Sequence, residues 1–511
     1  GANLIPMALA YPDAHFVGLD RAVTAIARGQ EEQQQLGLKN LTLIVADLLD
    51  YEVSPLGQFD YIIAHGLYSW VPPLVREAVW KIYSTSLAPQ GIGYLSYNTY
   101  PGCYVRRMLW EMMQFHSQGN EEPAEQIRQA RALMQFLAEG QVSKGVYADL
   151  LRDEVKRATF EREEGVLFHD DLASVNDPFY FREFIGQAHH HGFQFLAEAD
   201  YFESTYTHLP AKVRTQIDGL ARTNLLMKEQ YLDFLKCRRF RQTLICRQGI
   251  TRTPEPLLAA IPHFCFAAGL KTEGEPDLQP DVPVHFTGPT GTRITIDLPL
   301  AKAALKHLAT IFPMPLPFAE IFKQANLLLS GAGIGNSENA AGLAEVFLAA
   351  YSAGMLEMVA EVVPTASNLT TRPKLSPLVR RQLQAGSPNV TTLRHLMVGI
   401  DNELGRQLLL KLDGTRDRLT LEQELVEWAS ANPPKNLPES ERPTRVRLQE
   451  IIKTEVANGL KMATNFANRL AVAGRSQRRR QCDEHASKRL LLFAVCAASS
   501  RTSRCCPGAD A

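Results

Sequence analysis

The first hundred residues alternate short apolar runs with amphipathic stretches, and this alternation restricts the fold more than any other feature of the chain. His15–Asp20, Leu41–Ala46, Phe59–Ala64 and Gly93–Tyr97 have the length and the β-branched or aromatic content of buried strands. Leu4–Tyr11, Arg21–Leu36 and Pro73–Leu87 carry helical spacing between them, with Gly37 as a stop and Pro73 tolerated in a first turn. Strands that alternate with helices pair in parallel, because each helix returns the chain to the same end of the sheet. The expectation is an α/β fold with a doubly wound sheet over residues 1–103.

The pattern then changes. Tyr104–His116, Pro123–Glu139 and Lys144–Glu163 read as three helices, a helical insertion over 104–163. Helix Pro178–His191, strand Gly192–Leu196, helical segment Leu220–Arg239 and strand Arg241–Arg247 close the sheet over 164–250 with an antiparallel hairpin. Residues 251–283, rich in Pro and Glu, read as a linker. Residues 284–472 read as one mostly helical, winged-helix-like unit, opened by a hairpin over Val284–Ile296 that turns at Gly288–Gly291. From 473 onward the regular pattern stops. A basic run at Arg475–Arg480 and a crowd of cysteines suggest a disordered or out-of-frame tail.

Composition excludes several classes. The 511 residues are 45% hydrophobic and 21% charged with a net charge of -1, so no bulk attraction to nucleic acid is expected. No run approaches the roughly 20 apolar residues of a membrane helix; the longest candidate is Leu490–Ala498. No basic-then-apolar leader opens the chain. Cys103, Cys237, Cys246 and Cys265 are scattered, as reduced thiols of a cytoplasmic protein are, and nothing has metal-ligand spacing.

Open parallel sheets bind nucleotide-like cofactors beyond the C-terminal ends of their strands. Gly1 and Asn3 precede a helix, as the last turn of a glycine loop would. Asp20 closes its strand at the spacing from Gly1, about 20 residues, at which an acid meets ribose hydroxyls. Asp47 and Leu48 follow the second strand and suit an adenine amine and an adenine ring. After the third strand comes His65-Gly-Leu-Tyr-Ser-Trp70, unusually aromatic for a loop. Aromatic faces hold cationic sulfonium or ammonium groups. His65, Tyr68 and Trp70 are therefore expected at a methyl-transfer channel, with Trp70 on the acceptor side; the alternative is a loop folded onto the insertion, with Tyr68 and Trp70 in the core. His65 is also expected to touch the donor. Asn98 and Tyr100, after the fourth strand, are expected to orient an acceptor amine. A ribose-binding Asp equally serves a nicotinamide dehydrogenase, but no acid–base pair is placed for hydride chemistry. His189-His-His191 reads as a helix end with one buried ring. Phe168-His-Asp-Asp171 with Asn176 reads either as part of the acceptor cleft or as a helix cap.

Asp20, Asp47, Phe59–Pro72, Tyr97–Gly102, Phe168–Leu172, Phe179–Phe184, Phe234–Leu244 and Leu412–Arg418 together resemble bacterial class I methyltransferases that carry a methyltransferase regulatory domain. The resemblance runs over roughly residues 1–470. It implies a Rossmann-like methyltransferase sheet, S-adenosyl-L-methionine as cofactor, and a protein-lysine acceptor, with a homodimer left open. A small-molecule acceptor and a non-catalytic, partner-binding fragment are the alternatives. Against the family pattern, the first strand and its Gly-x-Gly are missing, and an Arg/Cys-rich tail replaces the last helix. The expected consequence is a slot between the strands ending at Asp20 and Ala64, or a rearranged pairing there, in a poorly soluble chain that does not bind the donor measurably.

Overall fold

The computed structural model describes residues 3–117, 119, 122–142, 144–160, 172–206, 209–253, 258–335, 339–360, 371–392, 397–400, 402–433, 443–467 and 489–494. Its central element is a seven-stranded sheet. The strands are β1 (His15–Asp20), β2 (Leu41–Val45), β3 (Phe59–His65), β4 (Leu87–Asn98), β5 (Phe193–Glu198), β6 (Phe240–Arg247) and a tail strand, Arg489–Ala494. Across the sheet they lie in the order β2, β1, tail strand, β3, β4, β6, β5. The first five are parallel, and β6 and β5 close the sheet antiparallel.

The expected slot is therefore not open. Arg489–Ala494 fills it, pairing parallel with β1 on one side (Val17 with Leu491) and with β3 on the other (Leu491 with Ile62). The expectation of a tail without structure is corrected for these six residues. Three consecutive leucines, Leu490–Leu492, can be buried on both faces of a sheet, as a central parallel strand requires.

The two faces of the sheet carry separate cores. Phe59, Ile62, Val79, Trp80, Tyr83, Tyr97, Phe184, Phe193 and Leu491 pack on one side. There α3 (Pro73–Ser86) lies beside α7 (Phe181–His190). On the other side α1 (Leu4–Ala10) and α2 (Val23–Gln35) cover Phe16, Leu41, Leu43 and Leu492. Gly18 lets α1 sit close, since a Cβ there would lie 2.7 Å from Leu4 Cδ1 and 2.8 Å from Leu43 Cδ2. On the edge strand β2, the Gln30 and Gln33 side chains donate to the carbonyls of Leu43 (2.8 Å) and Leu41 (2.6 Å). Those bonds occupy backbone acceptors that an edge would otherwise leave open.

The insertion consists of α4 (Cys103–Ser117), α5 (Pro123–Glu139) and α6 (Val146–Phe160), which share a small core around Leu109, Met113, Met134 and Leu151. The three-histidine run ends the helix, with one ring partly buried where a buried one was expected. His191 stacks on Trp80 with ring centroids 5.5 Å apart, while His189 and His190 face solvent.

Two boundary expectations change. Residues expected to be a linker hold a 3-10 turn, Leu258–His263, and a strand, Cys265–Ala267. Ile261, Phe266, Ala268, Leu270 and Leu278 enter a core with Leu305, Ile321 and Phe347. The unit expected over 284–472 has two cores, this one and a second around Leu375, Val379, Leu409, Leu425 and Ile452. The apolar spacing of these helices is alike on both sides of residue 360, so periodicity alone does not divide them.

Under β5 and β6 lies a fully buried ion cluster that the sequence reading did not single out. The Arg241 guanidinium donates to Glu198 (2.5 Å), Glu229 (3.1 Å) and Asp233 (3.0 Å) and lies 3.9 Å over the Phe181 ring. Desolvation pushes the Glu229 and Asp233 carboxyls upward, and the neighbouring guanidinium opposes it.

Candidate active site

The C-terminal ends of β1, β2 and β3 open on one cavity of about 570 Å³. Leu19, Asp20, Arg21, Ala46, Asp47 and Leu48 form one wall; Leu67, Trp70, Val71, Pro72 and Val75 form the other. The volume falls within the range of small-molecule and cofactor sites, about 300–1,000 Å³.

Asp20 is the last residue of β1 and is buried. The backbone N–H of Ala22 donates to its Oδ1 at 2.8 Å, which fixes the carboxylate at the cavity floor. Asp47 accepts from the Leu49 N–H at 3.1 Å and faces Arg21 at 3.6 Å. Leu48 is half-buried against the main core and supplies an apolar surface beside Asp47. Two strand-end carboxylates and one apolar residue, spaced by a strand pairing, suit a ribose and an adenine. Asn3 stands exposed at the N-cap of α1, outside the residues that line the cavity. Gly1 and Phe168–Asp171 lie outside the described residues.

His65 ends β3. Its Nδ1 lies 3.1 Å from the Tyr94 hydroxyl and 3.4 Å from Ser96 Oγ, and Ser96 Oγ accepts from the Gly66 N–H at 2.8 Å. Gly66 takes φ +63°, the conformation that glycine adopts without strain and that turns the chain out of the strand. One side of the imidazole stays open to solvent. Its partial burial lowers the pKa below the ordinary 6.5, so the ring is neutral at pH 7.

Tyr68 and Trp70, expected together at the channel, separate. Tyr68 is fully buried in the aromatic core. Its hydroxyl donates to Gln187 and accepts from Trp80 Nε1 at 2.9 Å, and burial pushes its pKa up. It cannot line a channel. Its backbone turns through the 3-10 segment Tyr68–Trp70, which points the first aromatic inward and leaves the third on the surface of the cavity. Trp70 is half-buried and lines the same cavity as Asp20 and Asp47, so its expected place on the acceptor side alone does not follow from the structure.

Asn98 is the last residue of β4 and is buried; Tyr100 follows in the turn beyond it. The Asn98 amide donates to Asn176 Oδ1 at 2.9 Å, and its backbone N–H donates to Ser69 Oγ at 2.8 Å. Asn176 is thus drawn to the strand end. Tyr100 stacks on Tyr104 with centroids 4.2 Å apart and lies 5.3 Å from Tyr180. These rings make a half-open aromatic patch at the foot of the insertion. Gly102 brings the turn against the end of the neighbouring helix, where a Cβ would sit 2.2 Å from the Cys237 carbonyl oxygen.

The sequence reading missed Arg76. It is buried on α3, donates Nε to the carbonyls of Tyr68 (3.1 Å) and Val71 (3.0 Å), and pairs with Asp177. A signal was present. Arg76 precedes Val79, Trp80 and Tyr83 at i+3, i+4 and i+7, so helical spacing places it on the apolar face.

Comparison with known proteins agrees with this geometry. Residues 1–97 match a methyltransferase domain, residues 163–247 a predicted methyltransferase regulatory domain, and residues 371–467 the PKMT C-terminal winged helix domain. The uncharacterized protein RP789 of Rickettsia prowazekii is 30% identical over 434 residues, 83% of this chain and 77% of that protein. RP028 of the same organism is 34% identical over 197 residues, 38% of this chain and 78% of that one. The structure of PKMT2 from Rickettsia typhi superposes with a TM-score of 0.79 at 25% identity, covering 92% of each chain. The same protein in complex with AdoHcy gives 0.79 over 91% of each chain. The chain therefore belongs to the class I S-adenosyl-L-methionine-dependent methyltransferases that carry a regulatory domain and a PKMT-type winged helix.

Proposed function

We propose that this methyltransferase transfers the methyl group of S-adenosyl-L-methionine to lysine side chains of a protein. The observation that carries the reading is the cavity itself. Asp20 stands where β1 ends, Asp47 and Leu48 where the neighbouring strand ends, and among the described residues that line it Arg21 is the one further ionisable group. Asp20 accepts from the ribose hydroxyls, Asp47 accepts from the adenine amine, and Leu48 packs on the ring. Gly1 and Asn3 stay assigned to the donor side by their place in the chain alone. When bound, S-adenosyl-L-methionine supplies a methyl group on a sulfonium.

The acceptor enters between the His65–Trp70 loop and the Asn98–Tyr100 turn. A lysine ammonium must lose its proton before its lone pair can attack, so that an N–C bond forms as the S–C bond breaks. His65, neutral at pH 7 and oriented through Nδ1 by Tyr94, is placed to take that proton. Tyr100, Tyr104 and Tyr180 offer aromatic faces to the approaching ammonium. Tyr68 acts behind them by fixing the loop from the core.

The protein acceptor is supported by the PKMT-type winged helix and by the overall likeness to PKMT2. Cys103, Cys246 and Cys265 are buried and form no disulfide among the described residues, which supports a cytoplasmic site. Among the described residues no helix is long and apolar enough to cross a membrane, and none of the His, Cys, Asp and Glu side chains form a metal-holding group. A homodimer is proposed through the insertion, where Phe115, Phe136 and Val146 are exposed.

Titration calorimetry with AdoHcy tests the donor assignment. Asp20→Ala removes a ligand hydrogen bond worth about 1–3 kcal/mol, so affinity falls about tenfold or more. An unchanged affinity would remove Asp20 from the site.

A further inference from the structure

The two walls of the donor cavity belong to different parts of the sheet. Asp20 and Leu19 come from β1, with Asp47 next to them beyond β2. Leu67, Trp70 and Val71 follow β3. β1 and β3 are not paired with each other. The strand Arg489–Ala494 lies between them, from almost five hundred residues along the chain. Leu19 pairs with Phe493, Phe493 with Ala64, and Ala494 with His65. The strand therefore ends level with the residues that hold the site.

Adjacent strands lie about 4.8 Å apart, so one intervening strand keeps β1 and β3 about 10 Å apart. Its side chains also tie the two faces of the sheet. Leu491 is fully buried in the core with Val17, Ile62 and Tyr97, and Leu492 is buried with Leu4, Phe16 and Leu43. Without this strand, β1 and β3 would each present an unpaired edge inside the protein. Alternatively they would pair directly and bring the walls closer by one strand spacing, about 5 Å. Either outcome removes the cavity at its present width.

We propose that Arg489–Ala494 is the spacer of the donor site, with Leu491 its main positioning residue. Docking of this strand and binding of S-adenosyl-L-methionine are then linked, each strengthening the other by the same factor. The proposal rests on the donor-site reading given above.

Hydrogen exchange of the intact chain, followed by mass spectrometry with and without AdoHcy, tests it. AdoHcy slows exchange across 489–494 by about tenfold or more, and leaves the remote core around Leu425 and Ile452 unchanged. Leu491→Asp weakens AdoHcy binding about tenfold or more, whereas Leu491→Met keeps the parent affinity, as a volume-conserving swap should. Unaltered exchange of 489–494 with saturating AdoHcy overturns the proposal, and so does a Leu491→Asp chain that binds like the parent. Because the exchange measurement uses the parent chain, it decides the matter even if Leu491→Asp fails to fold. A fault in the donor-site reading looks different. Asp20→Ala would then bind AdoHcy normally while the tail strand still responded to it.

Discussion

Arg76 and Asp177 form an ion pair across 101 residues of sequence, and the same guanidinium holds the carbonyls of Tyr68 and Val71. The Asp177 N–H donates in turn to the Ser69 carbonyl at 2.8 Å. The loop that walls the cavity at the strand ends is thus clasped by α3 and by the segment that follows the insertion. The Arg76 side chain also lies 4.9 Å over the Phe179 ring.

Removing the clasp should loosen the loop. Arg76→Ala leaves two buried carbonyls without their donor, at about 1–3 kcal/mol each. AdoHcy affinity and turnover should fall together, with a lower melting temperature. Arg76→Lys should recover little, because an ammonium lacks the fork that reaches two carbonyls and a carboxylate at once. Parent-like kinetics in both variants would show that the loop holds itself.

The neighbouring aromatics should behave oppositely. Tyr68→Ala opens a hole in the core and leaves Trp80 Nε1 and Gln187 without their partner, so a loss of about 3–5 kcal/mol is expected in chemical denaturation. Trp70→Ala should leave the unfolding midpoint nearly unchanged and weaken AdoHcy binding. If Trp70→Ala lowers turnover alone and donor affinity holds, Trp70 belongs to the acceptor side, where its sequence position first suggested it.

The strand ends themselves were legible in the sequence. The strand HFVGLD runs straight into Asp20, and LTLIVA towards Asp47, so period and position place both carboxylates at strand ends, and the structure lines one cavity with them. Tyr68 was not legible: a buried and a cavity-lining aromatic two residues apart look alike until a 3-10 turn separates them. The place of Arg489–Ala494 was not legible either. Its apolar run was visible, but parallel pairing with strands so distant in sequence leaves no local signal. The division of residues 251–472 into two cores was hidden for a related reason, since helices of similar spacing do not declare which neighbours they pack against.

His65 gives a pH dependence with a definite sign. Its folded pKa lies below 6.5, so the folded state prefers the neutral ring. Its contribution to stability is fully present above 6.5 and is lost as pH falls through the lowered value. Turnover should show an acidic limb with an apparent pKa below 6.5, and His65→Gln should abolish that limb while AdoHcy binding stays within a few fold. A limb that persists in His65→Gln would assign the proton to another group.

The most direct test of the central claim is to find where the methyl group goes. The chain is incubated with isotopically labelled S-adenosyl-L-methionine and a lysine-bearing protein acceptor, and the product is mapped by peptide mass spectrometry. The account predicts label on lysine Nζ, formation of AdoHcy in equal amount, no comparable transfer to free lysine, and about tenfold less label in Asp20→Ala at limiting donor. Label on a small phenol, acid or free amine in preference to protein lysine, or label transfer that Asp20→Ala leaves unchanged at limiting donor, would contradict it.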